Sequence, residues 1–178
     1  LHAGEKDLLA MQALRVYPCC VNSRIYKRTP KRLSRIFKSQ GYPLYFVTMN
    51  TWQRRRLLAN DAIHHAFVAY ARRNAAHGRA IGRYVIMPDH LHFFVRGADG
   101  FRLSDFARLM KQRLSRTMSD MGIQPPWWQP GFFDHLLRRD ETYNEKWAYV
   151  RMNPVRARLA ENPEAWTFQG EIVNIDRV

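Results

Sequence analysis

Hydrophobic and polar residues from position 42 onward alternate with two different periods, one typical of β-strands and one typical of α-helices. Short aromatic and β-branched runs predict strands, and longer segments with apolar residues three or four positions apart predict helices. Asn60 or Asp61 is suited to cap a helix, Gly78 to end it, and Pro88-Asp89 to form a tight hairpin turn. The pattern predicts strands at 42–51, 83–87, 90–95 and 132–139, helices at 60–78, 103–122 and 140–152, and a loop at 124–131.

The order of these elements indicates the fold class. Strand, helix, strand, strand, helix, strand and helix follow one another, with Ser104 as the predicted cap of the second helix. This order is typical of an α+β protein. We expect a ferredoxin-like antiparallel sheet with the helices packed on one face.

The first 41 residues differ in composition from the remainder of the chain. The stretch 24–38 carries basic and apolar residues but no acidic residue. We interpret it as an arm that packs partly on the domain and partly on phosphates, and a solvated basic arm is the alternative. The chain is thus divided into a basic N-terminal arm at 1–41 and a compact domain at 42–178. The basic residues of the arm are Arg24, Lys27, Arg28, Lys31, Arg32, Arg35 and Lys38.

The net charge limits the classes of partner. Twenty-nine Lys and Arg residues against fifteen Asp and Glu give a formal charge of +14, which is more than solubility requires. A polyanionic partner is expected, with nucleic acid favoured over a membrane surface. The chain has no apolar run long enough for a membrane-spanning helix and no pattern of a secretory signal near its start. The adjacent Cys19 and Cys20 are interpreted as reduced thiols, which predicts a cytoplasmic protein.

Two histidines stand at the start of a predicted buried strand, in the segment MPDHLHFFV at 87–95. Side chains alternate along a strand, so His90 and His92 point to the same face, roughly 6–7 Å apart at the base. That spacing allows both imidazoles to bind one metal ion, and the alternative is a pair of hydrogen-bonded histidines on a sheet face. A third ligand is then required. The sequence leaves open whether His135 reaches this site or only forms a hydrogen bond with Asp134.

The last predicted helix carries a tyrosine and an amide at helical spacing. Tyr149 and Asn153 are four residues apart and share one face. That arrangement suits a nucleophile next to a metal ligand, and the alternative is a surface tyrosine followed by a helix-ending asparagine before Pro154. A different face carries an apolar stripe that we assign to the core. This stripe contains Tyr143, Trp147, Val150 and Pro154.

The second predicted helix has a polar face that we interpret as a nucleic-acid contact. The loop after it places Trp127 and Trp128 among prolines. These two rings either stack on unpaired bases or close the edge of the core, and the second interpretation is preferred. The polar face consists of Arg108, Lys111, Gln112 and Ser115.

Three blocks of the sequence, at 83–95, 127–138 and 149–159, resemble the motifs of the HUH-type single-tyrosine DNA transposases. The REP-associated tyrosine transposases are the branch that they resemble most, and the block at 33–48 is also similar to that branch. The resemblance covers roughly residues 33–160. Three motifs in the right order at the right intervals make it specific.

The resemblance implies an HUH nuclease fold and a role for each matched residue. His90 and His92 would be the metal-binding histidines, Asn153 the third ligand and Tyr149 the nucleophile. The family cuts single-stranded DNA near imperfect hairpins and leaves a 5′-phosphotyrosine and a free 3′-hydroxyl. Asp89 stands where asparagine is frequent in this branch, and Arg158 where glycine is common; neither is a catalytic position.

The ligand set also indicates the metal. Hard oxygen partners favour Mg²⁺, and imidazole nitrogen is accepted better by Mn²⁺, so we predict Mg²⁺ with Mn²⁺ as a substitute. Imidazole binds metal only when it is neutral, so cleavage is expected to fade as the pH falls through about 6.5.

Two other functions remain open at the level of the sequence. One is a non-catalytic protein, derived from a transposase, that only holds hairpin DNA. The other is a relaxase-like nicking enzyme, although 178 residues leave little room for the helicase domains that such enzymes usually carry. The sequence leaves both a homodimer and a monomer possible.

Overall fold

The computed structural model describes residues 42–137 and 140–175. The predicted arm at 1–41, with its seven basic residues between Arg24 and Lys38, lies outside the described residues. Within these two ranges, no helix has both the length and the hydropathy needed to cross a membrane.

Five strands and four α-helices are present in the described part of the chain. The predicted strands and the three long helices are all observed, with ends that differ by a few residues. Two elements were not predicted, namely a four-residue helix after the third long helix and a short last strand. The elements are β1 Leu44–Asn50, α1 Asp61–Ala75, β2 Arg79–Ile86, β3 His90–Gly97, α2 Leu103–Asp120, β4 Phe133–Leu137, α3 Asp140–Arg151, α4 Asn153–Arg156 and β5 Gln169–Glu171, with 3₁₀ turns at Trp52–Arg54 and Pro163–Ala165.

The strands form one sheet in the order β4-β1-β3-β2-β5, and each neighbouring pair is antiparallel. The first four strands have the order of a ferredoxin-like fold, in which β3 lies between β1 and β2. This result confirms the predicted α+β class and the antiparallel sheet. β5 extends the sheet at the β2 edge.

The two faces of the sheet are covered by different helices. On one face, Phe93 of β3 packs in a core cluster with Phe67 of α1 and Met110 of α2. On the other face, Phe94 packs with Val150 of α3. The expectation of helices on a single face therefore holds for α1 and α2 but not for α3. The physical reason is that all residues of β3 from 90 to 95 are buried, so both faces require a cover.

The starts of the helices agree with the capping prediction in one case and differ in another. The Asn60 side chain accepts a hydrogen bond from the Ile63 amide at 3.1 Å, which confirms Asn60 as the cap of α1. In contrast, Ser104 lies inside α2, whose N-cap is Arg102 without a side-chain bond. Leu103 is buried in the first turn, so the helix begins earlier than the polar signal indicated.

Candidate metal and tyrosine site

The two histidines of β3 lie side by side on the face covered by α3. His90 and His92 are 5% and 6% exposed. Their ring centroids are 4.6 Å apart and their planes are nearly perpendicular, at 83°. His92 also stacks on Phe46 of β1, with the ring centroids 5.5 Å apart. The shared face predicted from the alternation of the strand is thus observed.

Each histidine is held through its Nδ1 atom. The Nδ1 of His90 lies 2.7 Å from the Asp89 carboxylate, and the Nδ1 of His92 lies 2.8 Å from the Thr48 hydroxyl. The Asp89 carboxylate only accepts, so the His90 Nδ1 carries the proton and the lone pair of that ring lies on Nε2. The Thr48 hydroxyl can accept from the His92 Nδ1 in the same tautomer, which would leave that lone pair on Nε2 as well. Both Nε2 atoms are buried and have no hydrogen-bond partner in the described part of the chain.

Two buried nitrogens without a partner are uncommon, because such atoms normally find a hydrogen bond. A metal-binding histidine uses one ring nitrogen for the metal and gives the proton on the other to an oxygen acceptor. His90 and His92 have this arrangement. The pair therefore fits a divalent metal, and the donor set lacks the thiolates that a closed zinc site would use.

Arg54 supports the position of His90 through its ion pair with Asp89. Its Nε atom pairs with the second Asp89 oxygen at 2.7 Å, and its Nη1 donates to the Asn50 side chain at 2.7 Å. Gln53 and Arg54 both have positive φ angles, of 49° and 59°. Non-glycine residues in this region carry strain of about 1–3 kcal/mol, which the surrounding contacts must offset.

The electrostatics of the site keep His92 neutral. Burial is the main cause that lowers the pKa of His92 well below its usual value, and the nearby His90, Arg54, Lys146 and Arg156 lower it further. Burial alone would raise the pKa of Asp89, but the hydrogen bond from His90 and the charge of Arg54 outweigh burial and lower it. The site thus combines the neutral imidazole of His92 with the ionised carboxylate of Asp89, which contacts His90.

Tyr149 and Asn153 meet through Arg156. Tyr149, near the end of α3, is 49% exposed, and Asn153 begins α4. The guanidinium carbon of Arg156 lies 4.1 Å from the centroid of the Tyr149 ring. The same guanidinium donates to the Tyr149 carbonyl and to the Asn153 side-chain oxygen. Tyrosine, amide and arginine therefore form one cluster.

This cluster belongs to the histidine face of the sheet. Val150, next to Tyr149, packs in the core cluster that contains Phe46 and Phe94. Lys146, one turn before Tyr149, places its ammonium 5.3 Å from the Phe46 ring, on which His92 stacks. α3 therefore covers the sheet face that carries the two histidines, and Lys146 and Arg156 lie close enough to His92 to lower its pKa.

The candidate nucleic-acid residues of α2 lie on the opposite side of the sheet, since α2 packs on the face of Phe93. Arg108 and Gln112 are exposed there. Lys111 instead donates to the backbone carbonyls of Gln129 and Gly131, at 2.8 and 2.5 Å. Burial lowers the pKa of Lys111 to about 8. Lys111 therefore anchors the loop at 124–131 rather than extending into solvent.

Ser115 also contacts this loop. Its hydroxyl accepts a hydrogen bond from the Trp128 indole at 3.0 Å, and the Trp127 indole donates to the Ile123 carbonyl at 2.9 Å. Both tryptophan rings are partly buried against the main core cluster. This position supports the preferred interpretation that the two rings close the edge of the core.

His135 does not complete the histidine pair into a three-residue metal cluster. It lies on β4 opposite Phe46 of β1, so it shares the histidine face, but it is exposed. Within residues 42–137 and 140–175, no group of three or more His, Cys, Asp or Glu side chains is arranged to hold a metal. Among the described residues, a third protein ligand for His90 and His92 would therefore be a different kind of donor, such as an amide oxygen.

Four residues of the site were not singled out from the sequence, namely Thr48, Arg54, Lys146 and Arg156. Thr48 is opposite His92 in the register of β1 and β3, which the sequence does not reveal. Arg54 follows β1 in a basic run and adopts a backbone conformation that sequence patterns do not predict. For Arg156 a signal existed, because it follows Asn153 by three positions and Tyr149 by seven, a helical spacing.

Comparison with known proteins gives a consistent result. The family model described as "Transposase IS200 like" matches residues 40–150, a range that includes both histidines and Tyr149. The REP-associated tyrosine transposase of Escherichia coli K12 is 26% identical over 130 residues, which cover 70% of this chain and 73% of that protein.

A solved structure has a similar fold. The structure of a REP-associated tyrosine transposase bound to a REP hairpin superposes with a TM-score of 0.60 at 20% identity, covering 81% of this chain and 99% of that one. A putative transposase from Deinococcus radiodurans R1 covers 65% of this chain and 95% of its own, with a TM-score of 0.47 and 18% identity. The resemblance inferred from the three motifs is confirmed. Because the family model matches more than half of this chain, the chain belongs to the IS200-like transposase family.

Proposed function

We propose that this protein is a metal-dependent single-stranded DNA transposase that cleaves and rejoins DNA near hairpins through a 5′-phosphotyrosine intermediate. One observation carries the proposal: two buried histidine Nε2 atoms, which have no hydrogen-bond partner among the described residues, lie on the sheet face that the tyrosine helix covers. Family membership supports a transposase, and the site supports this particular chemistry.

His90, His92 and Asn153 would hold the metal. We propose Mg²⁺ as the physiological ion and Mn²⁺ as a substitute, since an amide oxygen and phosphate oxygens favour hard cations and imidazole is accepted by Mn²⁺. When bound, the ion would withdraw charge from the scissile phosphate and orient it.

Tyr149 supplies the nucleophile. Its oxygen forms a bond to phosphorus while the bond from phosphorus to the 3′-oxygen breaks, and the 3′-oxygen leaves as a hydroxyl. Because the tyrosine is half-exposed, its proton passes to solvent and the leaving oxygen takes a proton from solvent. The phosphotyrosine keeps the energy of the broken bond, so a DNA 3′-hydroxyl can reverse the step and rejoin strands.

The DNA partner is proposed to be a single strand with a hairpin. A relative was solved with a REP hairpin, and the charge of +14 suits a polyanion. Arg108 and Gln112 are exposed on α2 and remain candidates for phosphate contact, as do the basic residues of the arm between Arg24 and Lys38. Since α2 and the histidines lie on opposite faces of the sheet, a DNA strand that contacts both must pass around an edge of the sheet.

The experiment is to incubate the protein with end-labelled hairpin DNA and Mn²⁺ or Mg²⁺, and to look for a covalent protein–DNA band on a denaturing gel. We expect the band to disappear in Tyr149→Phe and in EDTA, and to map to Tyr149 by mass spectrometry. Tyr42→Phe is the matched control, since Tyr42 is 50% exposed and Tyr149 49%. The control should retain the band.

The other outcomes separate the alternatives. Hairpin binding without any adduct would favour a non-catalytic hairpin-binding protein. An adduct that never transfers to an added strand with a free 3′-hydroxyl would favour a nicking enzyme of the relaxase type. A light-scattering mass would distinguish a homodimer from a monomer.

A further inference from the structure

Arg156 makes three contacts with the two residues that the reaction requires from α3 and α4. Its guanidinium lies over the Tyr149 ring at 4.1 Å, and it donates to the Tyr149 carbonyl. It also donates to the side-chain oxygen of Asn153. A guanidinium over an aromatic face is attracted by the ring and restricts its orientation. Arg156 is thus placed to fix both the ring and the amide.

The bond to Asn153 uses the atom that the proposed metal needs. An amide binds a divalent cation through its oxygen, not through its nitrogen. The guanidinium is itself a cation that cannot lose its proton in a protein. A divalent ion on the same oxygen would be repelled by it across only a few ångströms. Guanidinium and metal therefore compete for one oxygen.

The surroundings allow Arg156 to leave that oxygen. Arg156 is exposed at the end of the four-residue helix α4, so its side chain can move without opening the core. Its other two contacts involve Tyr149 and do not depend on the Asn153 oxygen. Displacement would break one hydrogen bond and leave the contact with the ring in place.

We infer that Arg156 is a positioning residue that occupies the Asn153 oxygen in the absence of metal, is displaced from it when a divalent ion binds, and holds the Tyr149 ring throughout. The inference rests on the proposed function, since it assumes a metal at His90, His92 and Asn153. In this arrangement the amide is kept ordered before metal binding, and the cost is a weaker affinity for the ion. The orientation of the tyrosine is retained in both states.

The test measures Mn²⁺ affinity by electron paramagnetic resonance on the full-length protein without DNA. We expect Arg156→Ala to bind Mn²⁺ more tightly than wild type, on the order of tenfold at low salt, because a competing cation is removed. A purely structural role would have the opposite effect, since disorder of Asn153 weakens the site. Arg156→Lys keeps a charge and is expected to bind Mn²⁺ within about threefold of wild type.

The second readout is the rate of adduct formation at saturating Mn²⁺. We expect Arg156→Ala to be slower by about tenfold to a hundredfold, since the tyrosine ring loses its support. Arg158→Gly is the matched control, because it removes an exposed positive charge two residues away at a position with φ of 56°. That variant is expected to match wild type in both readouts.

The outcomes distinguish this inference from the proposed function. If wild-type protein binds no Mn²⁺, or if His90→Ala and His92→Ala leave its binding unchanged, the proposed metal site fails and the inference fails with it. If wild type binds at the histidine pair but Arg156→Ala binds with equal or weaker affinity, only the inference is overturned. An equal gain in Arg158→Gly would also overturn it, because the effect would then be one of general charge.

Discussion

The Nδ1 atoms of His90 and His92 determine which nitrogen of each ring is available to a metal. Asp89 and Thr48 supply the oxygens that these atoms contact, and Arg54 fixes Asp89 in turn. Without such acceptors, each ring could rotate or place its proton on Nε2. Asp89, Thr48 and Arg54 therefore support the proposed metal site by orienting the two histidine rings.

A substitution of either acceptor should weaken the metal site. We predict that Asp89→Ala and Thr48→Val each reduce Mn²⁺ affinity by about tenfold to a hundredfold. Titration followed by electron paramagnetic resonance measures the effect. Asp89→Asn keeps a side-chain oxygen as acceptor and should lose less than Asp89→Ala. Wild-type affinity in both Ala and Val variants would mean that these oxygens do not orient the rings.

The histidine pair could be predicted from the sequence, but its partners could not. The alternation of side chains along a strand places His90 and His92 on one face whatever the remainder of the fold. Thr48 becomes their neighbour only through the register of β1 against β3, which depends on the whole sheet. Arg54 reaches Asp89 through a strained turn, and local propensity argues against such a conformation.

At the level of elements, the protein divides its tasks between the two faces of the sheet. α3, which carries Tyr149, packs on the histidine face through Val150, and α1 and α2 build the core of the other face. The loop at 124–131, which lies between α2 and β4 in the chain, contacts the end of β1 through the Gln129 amide, which donates to the Asn50 carbonyl at 3.0 Å. Asn50 also accepts from Arg54, so the loop adjoins the support of the site.

Lys111 and Arg108 should therefore behave differently when each is substituted. Lys111→Met removes the donor to two loop carbonyls, and we predict a loss of about 1–3 kcal/mol in the free energy of unfolding. Arg108→Ala should change stability by no more than about 0.5 kcal/mol, since its side chain is exposed.

The salt dependence of DNA binding should change in the Arg108 variant and not in the Lys111 variant, the reverse of the effects on stability. If Arg108 contacts a phosphate, Arg108→Ala should flatten the log–log dependence of affinity on salt by about 0.7–0.9 unit, and Lys111→Met should leave this slope unchanged. Urea unfolding and salt titrations of hairpin binding provide the two measurements. A flatter slope in Lys111→Met would contradict the anchoring role.

The order of the first four strands and the three long helices could be predicted because each of these segments has a local pattern of apolar residues. The prediction that all helices pack on one face was wrong for α3, although β3 contained the signal. Phe93 and Phe94 are both apolar and point to opposite faces, so a sheet with one exposed face was already disfavoured. β5 has only three residues and no apolar alternation, and it forms because β2 offers an unpaired edge.

At the scale of the whole molecule, burial of histidine links stability to pH. Burial lowers the pKa of His92 well below 6.5, and it is also the main cause of the lowered pKa of His64. The Tyr84 hydroxyl lies 2.7 Å from the His64 Nε2, and burial raises the pKa of Tyr84 to about 12, so this hydroxyl remains a donor to the neutral ring. His92 protonation should thus limit metal binding at a pH lower than the 6.5 expected from an ordinary histidine.

The sign of the pH effect on stability follows from these two shifts. In the unfolded chain both rings take up protons near pH 6.5, whereas in the folded protein they do so only at lower pH. The unfolded state therefore binds more protons between those values, and the free energy of unfolding falls as the pH is lowered below 6.5. Each histidine contributes a slope of at most about 1.4 kcal/mol per pH unit, and above about pH 7 neither contributes.

Urea unfolding between pH 7.5 and 4.8 tests this prediction on wild type, His92→Gln, His64→Gln and the double variant. The range stays above the region in which Asp89 takes up its proton, because the pKa of Asp89 lies below 3.8. We expect each single substitution to reduce the slope below pH 6.5 and the double variant to have the smallest slope. His77→Gln, which replaces an exposed histidine, is the matched control for the substitution itself. If all variants lose stability in parallel, general repulsion within a strongly basic chain, rather than the burial of these two rings, governs the response to acid.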